Sequence, residues 1–145
     1  PIPRSFVLPP LDHPLNVDFG AKIRLVGYEL TQTPVALHLT LWWQALRAPE
    51  SDYTVFVHLC ASPGAPPIVQ SDAPPRGGAY PTSWWAAGEV VSETVTLSVS
   101  DAPAGRYRLA VGLYDPATAR LPAVAPDGQR IADDRPILPE EVEIP

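Results

Sequence analysis

The 145-residue chain has no methionine, one cysteine, one lysine and no apolar run near the length of a membrane span. Each shortage removes a class of protein. Cys60 has no second cysteine to pair with, so a disulfide framework is excluded and the cysteine count neither indicates nor forbids an oxidising compartment. With Lys22 as the sole lysine and a formal charge of −6, there is no clustered basic surface for phosphate, and nucleic acid is not expected as a partner. A membrane helix needs about 20 apolar residues, so direct insertion by this segment is not expected either. There is also no secretory-leader pattern. Without methionine, and opening on Pro1-Ile2-Pro3, the chain reads as an excised or processed segment of a longer protein.

Helix is the remaining shortage. The 20 prolines are far above the usual ~5%, and a proline every few residues breaks helix interiors while leaving short strands and loops intact. Four Trp and five Tyr, with regular Val/Leu alternation, supply the buried area that a disordered proline-rich chain lacks. The expected fold is all-β: one domain over residues 1–145, with residues 1–18 as an entry segment. Two packed antiparallel sheets are expected, of the immunoglobulin-like or jelly-roll kind.

Period-two alternation places the strands. Val35, Leu37, Leu39, Leu41 and Trp43 share one face, with His38, Thr40, Trp42 and Gln44 on the other. From Asp52 to Ala61 both faces carry apolar groups, which predicts a central strand. Val91, Val95, Leu97 and Val99 face inward on the next long strand, and Tyr107, Leu109, Val111 and Leu113 on the one after, opposite small Ala110 and Gly112. A phase shift at Gly27 predicts a bulge. Pro63-Gly64 and Pro126-Asp127-Gly128 read as turns, and Ile68 to Asp72 as the return of a hairpin. Ser5 to Leu8, Leu15 to Phe19, Arg120 to Val124 and Val142 to Ile144 are expected as short edge strands. Ala73 to Gly88 reads as one long ordered loop, and such loops inside compact domains are usually functional or held by their own side chains.

Several segments together resemble the C-terminal, extracytoplasmic β-sandwich module of bacterial multi-span membrane proteins related to protein mannosyltransferases. They are Leu25 to Leu30, Leu39 to Ala45, Asp52 to Leu59, Tyr80 to Trp85, Gly88 to Val91 and Gly105 to Pro116, spanning about Phe19 to Pro122. The resemblance implies a sandwich fold, an extracytoplasmic location in the cell envelope and attachment to a glycosyltransferase-related parent. It implies no catalytic or binding residues.

The ligand-binding candidates are aromatic: Trp42, Tyr80, Trp84 and Trp85, with Tyr53 and Tyr114 as possible neighbours. Flat sugar faces stack on such rings, while hydroxyls need polar side chains beside them. The competing reading makes these residues core and loop anchors, as phase already assigns to Trp43 and Tyr107. Trp84 and Trp85, adjacent on a loop, are not both expected to be buried. His58 and Asp72 are the polar candidates, and a hydrogen bond from His58 to the loop backbone is the expectation. No catalytic residues are assigned, because there is no nucleophile elbow, and His13, His38 and His58 lack zinc-site spacing. No cofactor is expected. Calcium would have to gather Asp12, Asp18, Asp72, Asp115, Asp127, Asp133 or Asp134 from separate loops, and solvated loop charge is the expectation there.

The first functional expectation is a non-catalytic accessory module binding glycan weakly through its aromatic loop or packing on its parent membrane domain. The alternatives are a structural spacer or protein-interaction domain and, last, a small hydrolase using His58 or paired carboxylates. An exposed Trp among polar groups would favour glycan; a flat apolar patch would favour protein.

Overall fold

The structure, a computed structural model, describes residues 3–145. Nine strands succeed one another: β1 (His13–Phe19), β2 (Ile23–Gln32), β3 (Ala36–Ala45), β4 (Thr54–Cys60), β5 (Pro67–Ala73), β6 (Val90–Ser98), β7 (Gly105–Tyr114), β8 (Ala123–Val124) and β9 (Ile137–Ile144). They form two antiparallel sheets, ordered β6-β3-β2-β1-β8 and β5-β4-β7-β9. Helical structure among the described residues is limited to short 3-10 turns, as the proline spacing requires.

The inward-phase residues of β3, β4 and β7 meet in one core. Leu37, Leu39, Leu41 and Trp43 face Val55, Val57 and Leu59 and the inner side chains of β7, all buried. Each such side chain contributes about 1.5–3 kcal/mol on burial. The bulge falls where the phase shifts, between Leu25 and Gly27 of β2, and lets Leu25 and Tyr28 both point inward.

The fully apolar pattern of β4 has a structural cause. Its outer residues Phe56, His58 and Cys60 are roofed by the segment that follows β7. The Arg120 guanidinium lies 4.7 Å over the Phe56 ring, and Arg135 donates to the Cys60 sulfur. The ring of Phe56 rests on bare Gly112, where any Cβ would collide with it.

Three strand expectations need correction. Val35 stays exposed because it lies in the β2–β3 turn, its N–H turned to the Thr33 hydroxyl, and β3 begins one residue later. Ser5 makes a single bridge to Val90, but Phe6 to Leu8 form no strand and remain exposed, since prolines flank them. The last strand starts at Ile137 rather than Val142, because β7 is long enough to pair back to Ala110. Of residues 1–18, those from His13 onward belong to the sheet.

The sandwich has two distinct ends. At one, the Gly20 N–H bonds the Pro122 carbonyl at 2.8 Å, Lys22 reaches the Tyr53 hydroxyl at 3.1 Å, and the long β5–β6 loop closes over them. At the other, the Gln32 amide donates to the Glu143 carbonyl at 2.9 Å, and the Tyr107 hydroxyl on β7 donates to the Pro103 carbonyl of the β6–β7 connection at 2.7 Å.

Candidate functional site

The six candidate residues divide among three places. Tyr80, Trp84 and Trp85 come together in the β5–β6 loop; Trp42 and the pair His58 and Asp72 lie on the two opposite outer faces.

The loop is built around a buried carboxylate. Glu89, 1% exposed, accepts from Tyr80 Oη at 2.5 Å, Arg4 Nη1 at 2.5 Å and the Ala86 N–H at 2.8 Å. Burial pushes its pKa up, but these donors outweigh burial and hold it below the ordinary carboxylate range. Trp85 is buried and donates its indole N–H to the Tyr80 carbonyl at 3.1 Å. Thr82 stitches the loop to the β3–β4 connection, donating to the Ser51 carbonyl at 2.6 Å and accepting from the Tyr53 N–H at 3.0 Å. Tyr80 and Trp85 are therefore loop anchors with no free face for a ligand. Trp84 is the exposed member at 54%, its ring 6.4 Å from that of Tyr80.

Exposed apolar residues surround the same end. Arg4 bonds the Trp84 carbonyl at 3.0 Å, Ser5 bridges to Val90, and Phe6 lies 3.9 Å from where a Cβ on Gly88 would stand. Phe6, Val7 and Leu8 are thus held beside the loop with their side chains in solvent.

Trp42 sits on the outer face of the five-stranded sheet, paired with Gly27 and Ser92. It is half-buried, and its indole N–H is enclosed without a hydrogen-bond partner. Around it the face is polar, with Thr40 bonded to Thr94 at 2.9 Å and His38 to Thr96 at 3.1 Å. Tyr53 is buried at the loop end, whereas Tyr114 is on the other sheet, 6.4 Å from Phe56.

His58 is buried under the roof of the four-stranded sheet, and the expected bond to loop backbone is absent: its Nδ1 has no partner. The roof presents guanidinium groups to it instead of carbonyls. Burial first, then Arg135 and Arg120, lower its pKa against the opposing pull of Asp72, so the ring is neutral at physiological pH. Asp72 is exposed and accepts from Gln70 at 2.9 Å rather than from His58. Burial raises the Cys60 thiol, with Arg135 opposing, which makes it a poor nucleophile. The aspartates are dispersed as well: Asp18 bonds Arg24 at 2.6 Å, Asp134 bonds Arg130 at 2.5 Å, and Asp115 and Asp127 close their own turns. No three metal-ligating side chains meet among the described residues.

Besides Glu89, two buried charged residues are not among the candidates of the sequence. Glu93 lies in the inward phase of Val91 and Val95, 7% exposed, accepting from the Trp43 indole at 2.9 Å and from the Arg76 N–H at 3.5 Å. It lines a cleft of about 200 Å³ between the edges β5 and β6. The signal was legible: a carboxylate at an inward position of an otherwise clean alternation. Arg135 is buried beside Cys60, and nothing in its Pro-flanked surroundings announced that.

No family model, curated protein or solved structure matches the chain. Its class is accordingly set by the fold, a two-sheet antiparallel β-sandwich whose loop end carries an anchored aromatic turn with one exposed tryptophan.

Proposed function

We propose that this domain is a non-catalytic accessory module, held on the extracytoplasmic side of a glycosyltransferase-related membrane protein, whose loop end packs against a protein surface. The carrying observation is the division among the loop aromatics. Tyr80 and Trp85 are spent on internal anchoring, while Trp84 faces solvent at the end where Phe6, Val7 and Leu8 are also exposed. Exposed apolar groups gathered at one place are the mark of a contact surface. Glu89 and Thr82, polar groups that would serve sugar hydroxyls, are buried and engaged inside the loop network.

The strand order supports an immunoglobulin-like spacer. The neighbours β3-β6 and β5-β4-β7-β9 follow the B-E and C′-C-F-G neighbours of immunoglobulin-like sheets, and the Tyr107 tie resembles the tyrosine corner of that fold. The sequence resemblance supports the location and the parent.

The test places a photo-crosslinking amino acid at position 84 in the full-length parent. A cross-link to protein is expected, lost on Phe6→Ser. The double variant Phe6→Ser/Trp84→Ser of the domain should keep its stability within about 0.5 kcal/mol, as surface changes do. Retention on a glycan array that disappears in Trp84→Ser would replace this reading with carbohydrate binding.

A further inference from the structure

Beneath the roof of the four-stranded sheet, far from the docking end in function and in residues, one buried cation lacks an anion. Arg135 is 8% exposed, and among the described residues none of the ion pairs includes it. Its Nη2 donates to the Cys60 sulfur, a weak acceptor, and its Nε is enclosed with no acceptor at all. A guanidinium stays charged at every accessible pH, and a buried charge without a partner is strongly unfavourable. The same side chain lines a pocket of about 290 Å³ whose other walls include Pro63, Ile131, Ala132 and Ile137, with Asp133 among them.

From this geometry we propose that the Arg135 pocket binds a short-chain monocarboxylate, its head on the guanidinium and its alkyl body against the apolar walls. The reasons are chemical. Arg135 is the cation of the pocket wall and has no anion of its own among the described residues, so a carboxylate head supplies the charge that the site leaves unmet. Largely apolar walls suit methylene groups better than a hydrated inorganic anion. The Asp133 carboxylate adds a repulsion that grows with ligand charge, which disfavours dianions such as phosphate. The volume is near the lower limit for small-molecule sites, about 300 Å³, so the body must be short.

His58 supplies an internal reporter. It lies two residues before Cys60 on β4, and its ionisation is suppressed by burial first and then by Arg135 and Arg120, with Asp72 opposing. A carboxylate seated on Arg135 neutralises that guanidinium, so the His58 midpoint must move up.

The experiment is an NMR pH titration of the three histidines in the intact chain, with and without sodium hexanoate. The expected result is an upward displacement of His58, with His13 and His38 unmoved, and hexan-1-ol bound about tenfold or more weakly, the worth of a charge-assisted hydrogen bond. An unmoved His58 at saturating hexanoate would overturn the proposal. So would hexan-1-ol binding as tightly, which would make the pocket a plain apolar cavity, or inorganic phosphate displacing His58 equally, which would make it an unselective anion site. Arg135→Met, which keeps most of the bulk and removes the charge, should cancel the advantage of hexanoate over hexan-1-ol. The wild-type arms decide the matter even where that variant fails to fold.

Discussion

Glu89 and Glu93 stand four residues apart and respond to pH in opposite senses. The folded-state pKa of Glu89 is depressed, because its three donors outweigh burial. Its contribution is therefore complete above the ordinary glutamate value of about 4.3 and is lost as pH falls through the lower folded value. For Glu93 burial raises the folded value, with the Trp43 indole and Arg76 opposing. The folded state then holds a proton that the unfolded chain has released, and stability declines as pH rises from about 4.3 through the raised folded value. Glu93→Gln keeps an acceptor for the Trp43 indole and removes the charge. Chemical denaturation across pH should show the declining limb abolished in this variant, with the acid-side loss due to Glu89 unchanged. A variant that retains the decline would locate it elsewhere.

Among the elements, turns and close approaches carry the backbone's special demands. The β1–β2 hairpin closes through the three residues between Phe19 and Ile23, with Gly20 at φ +60° and Ala21 at φ +55°, both left-handed, at the centre of a turn in which the Lys22 N–H bonds the Phe19 carbonyl at 3.0 Å. Glycine bears this at no steric cost, whereas alanine loses roughly 1 kcal/mol. Ala21→Gly, at an exposed position, should raise stability by a large part of that amount in urea melts. Gly112→Ala should do the reverse, costing about 1–3 kcal/mol as an overpacked core site, because the Phe56 ring occupies the space of the new methyl.

These elements also show what the sequence could and could not disclose. The alternation of β3, β4 and β7 is legible at Leu37, Val57 and Leu109, because side-chain period and burial share one cause. Bare Gly112 signals its close neighbour, the Phe56 ring. Val35 is not placed by the same alternation, which does not say where a turn ends. Tyr80 and Trp85 are not distinguished from Trp84 by sequence, because a loop has no period; Tyr80 is held by Glu89, nine residues onward, and Trp85 by the Tyr80 carbonyl. Arg135 was invisible for a similar reason, its site being assembled from the β4–β5 turn and the approach to β9.

At the level of the whole molecule, the sheets join strands distant in sequence. β4 pairs with β7, β3 with β6 and β7 with β9, so loop closure must precede most stabilising contacts. Stopped-flow refolding should proceed in milliseconds to seconds, in the range of other sandwiches. Microsecond folding would contradict this topology.

The positions of Ser5 and Ile144 have a mechanical meaning. Ser5 bridges to Val90 at the loop end, while Ile144 pairs with Gly105 at the opposite end. Tension applied between them runs along the strands. The stretch ahead of β1, held by Arg4 and one bridge, would peel first and release about 30 Å of extended chain before any sheet pair is loaded. The load then reaches His13, which lies beside Glu140 of β9 rather than at the loop end, and draws β1 back over itself, so that its pairs with β2 open one after another. The domain would behave as a tether that lengthens in successive soft steps.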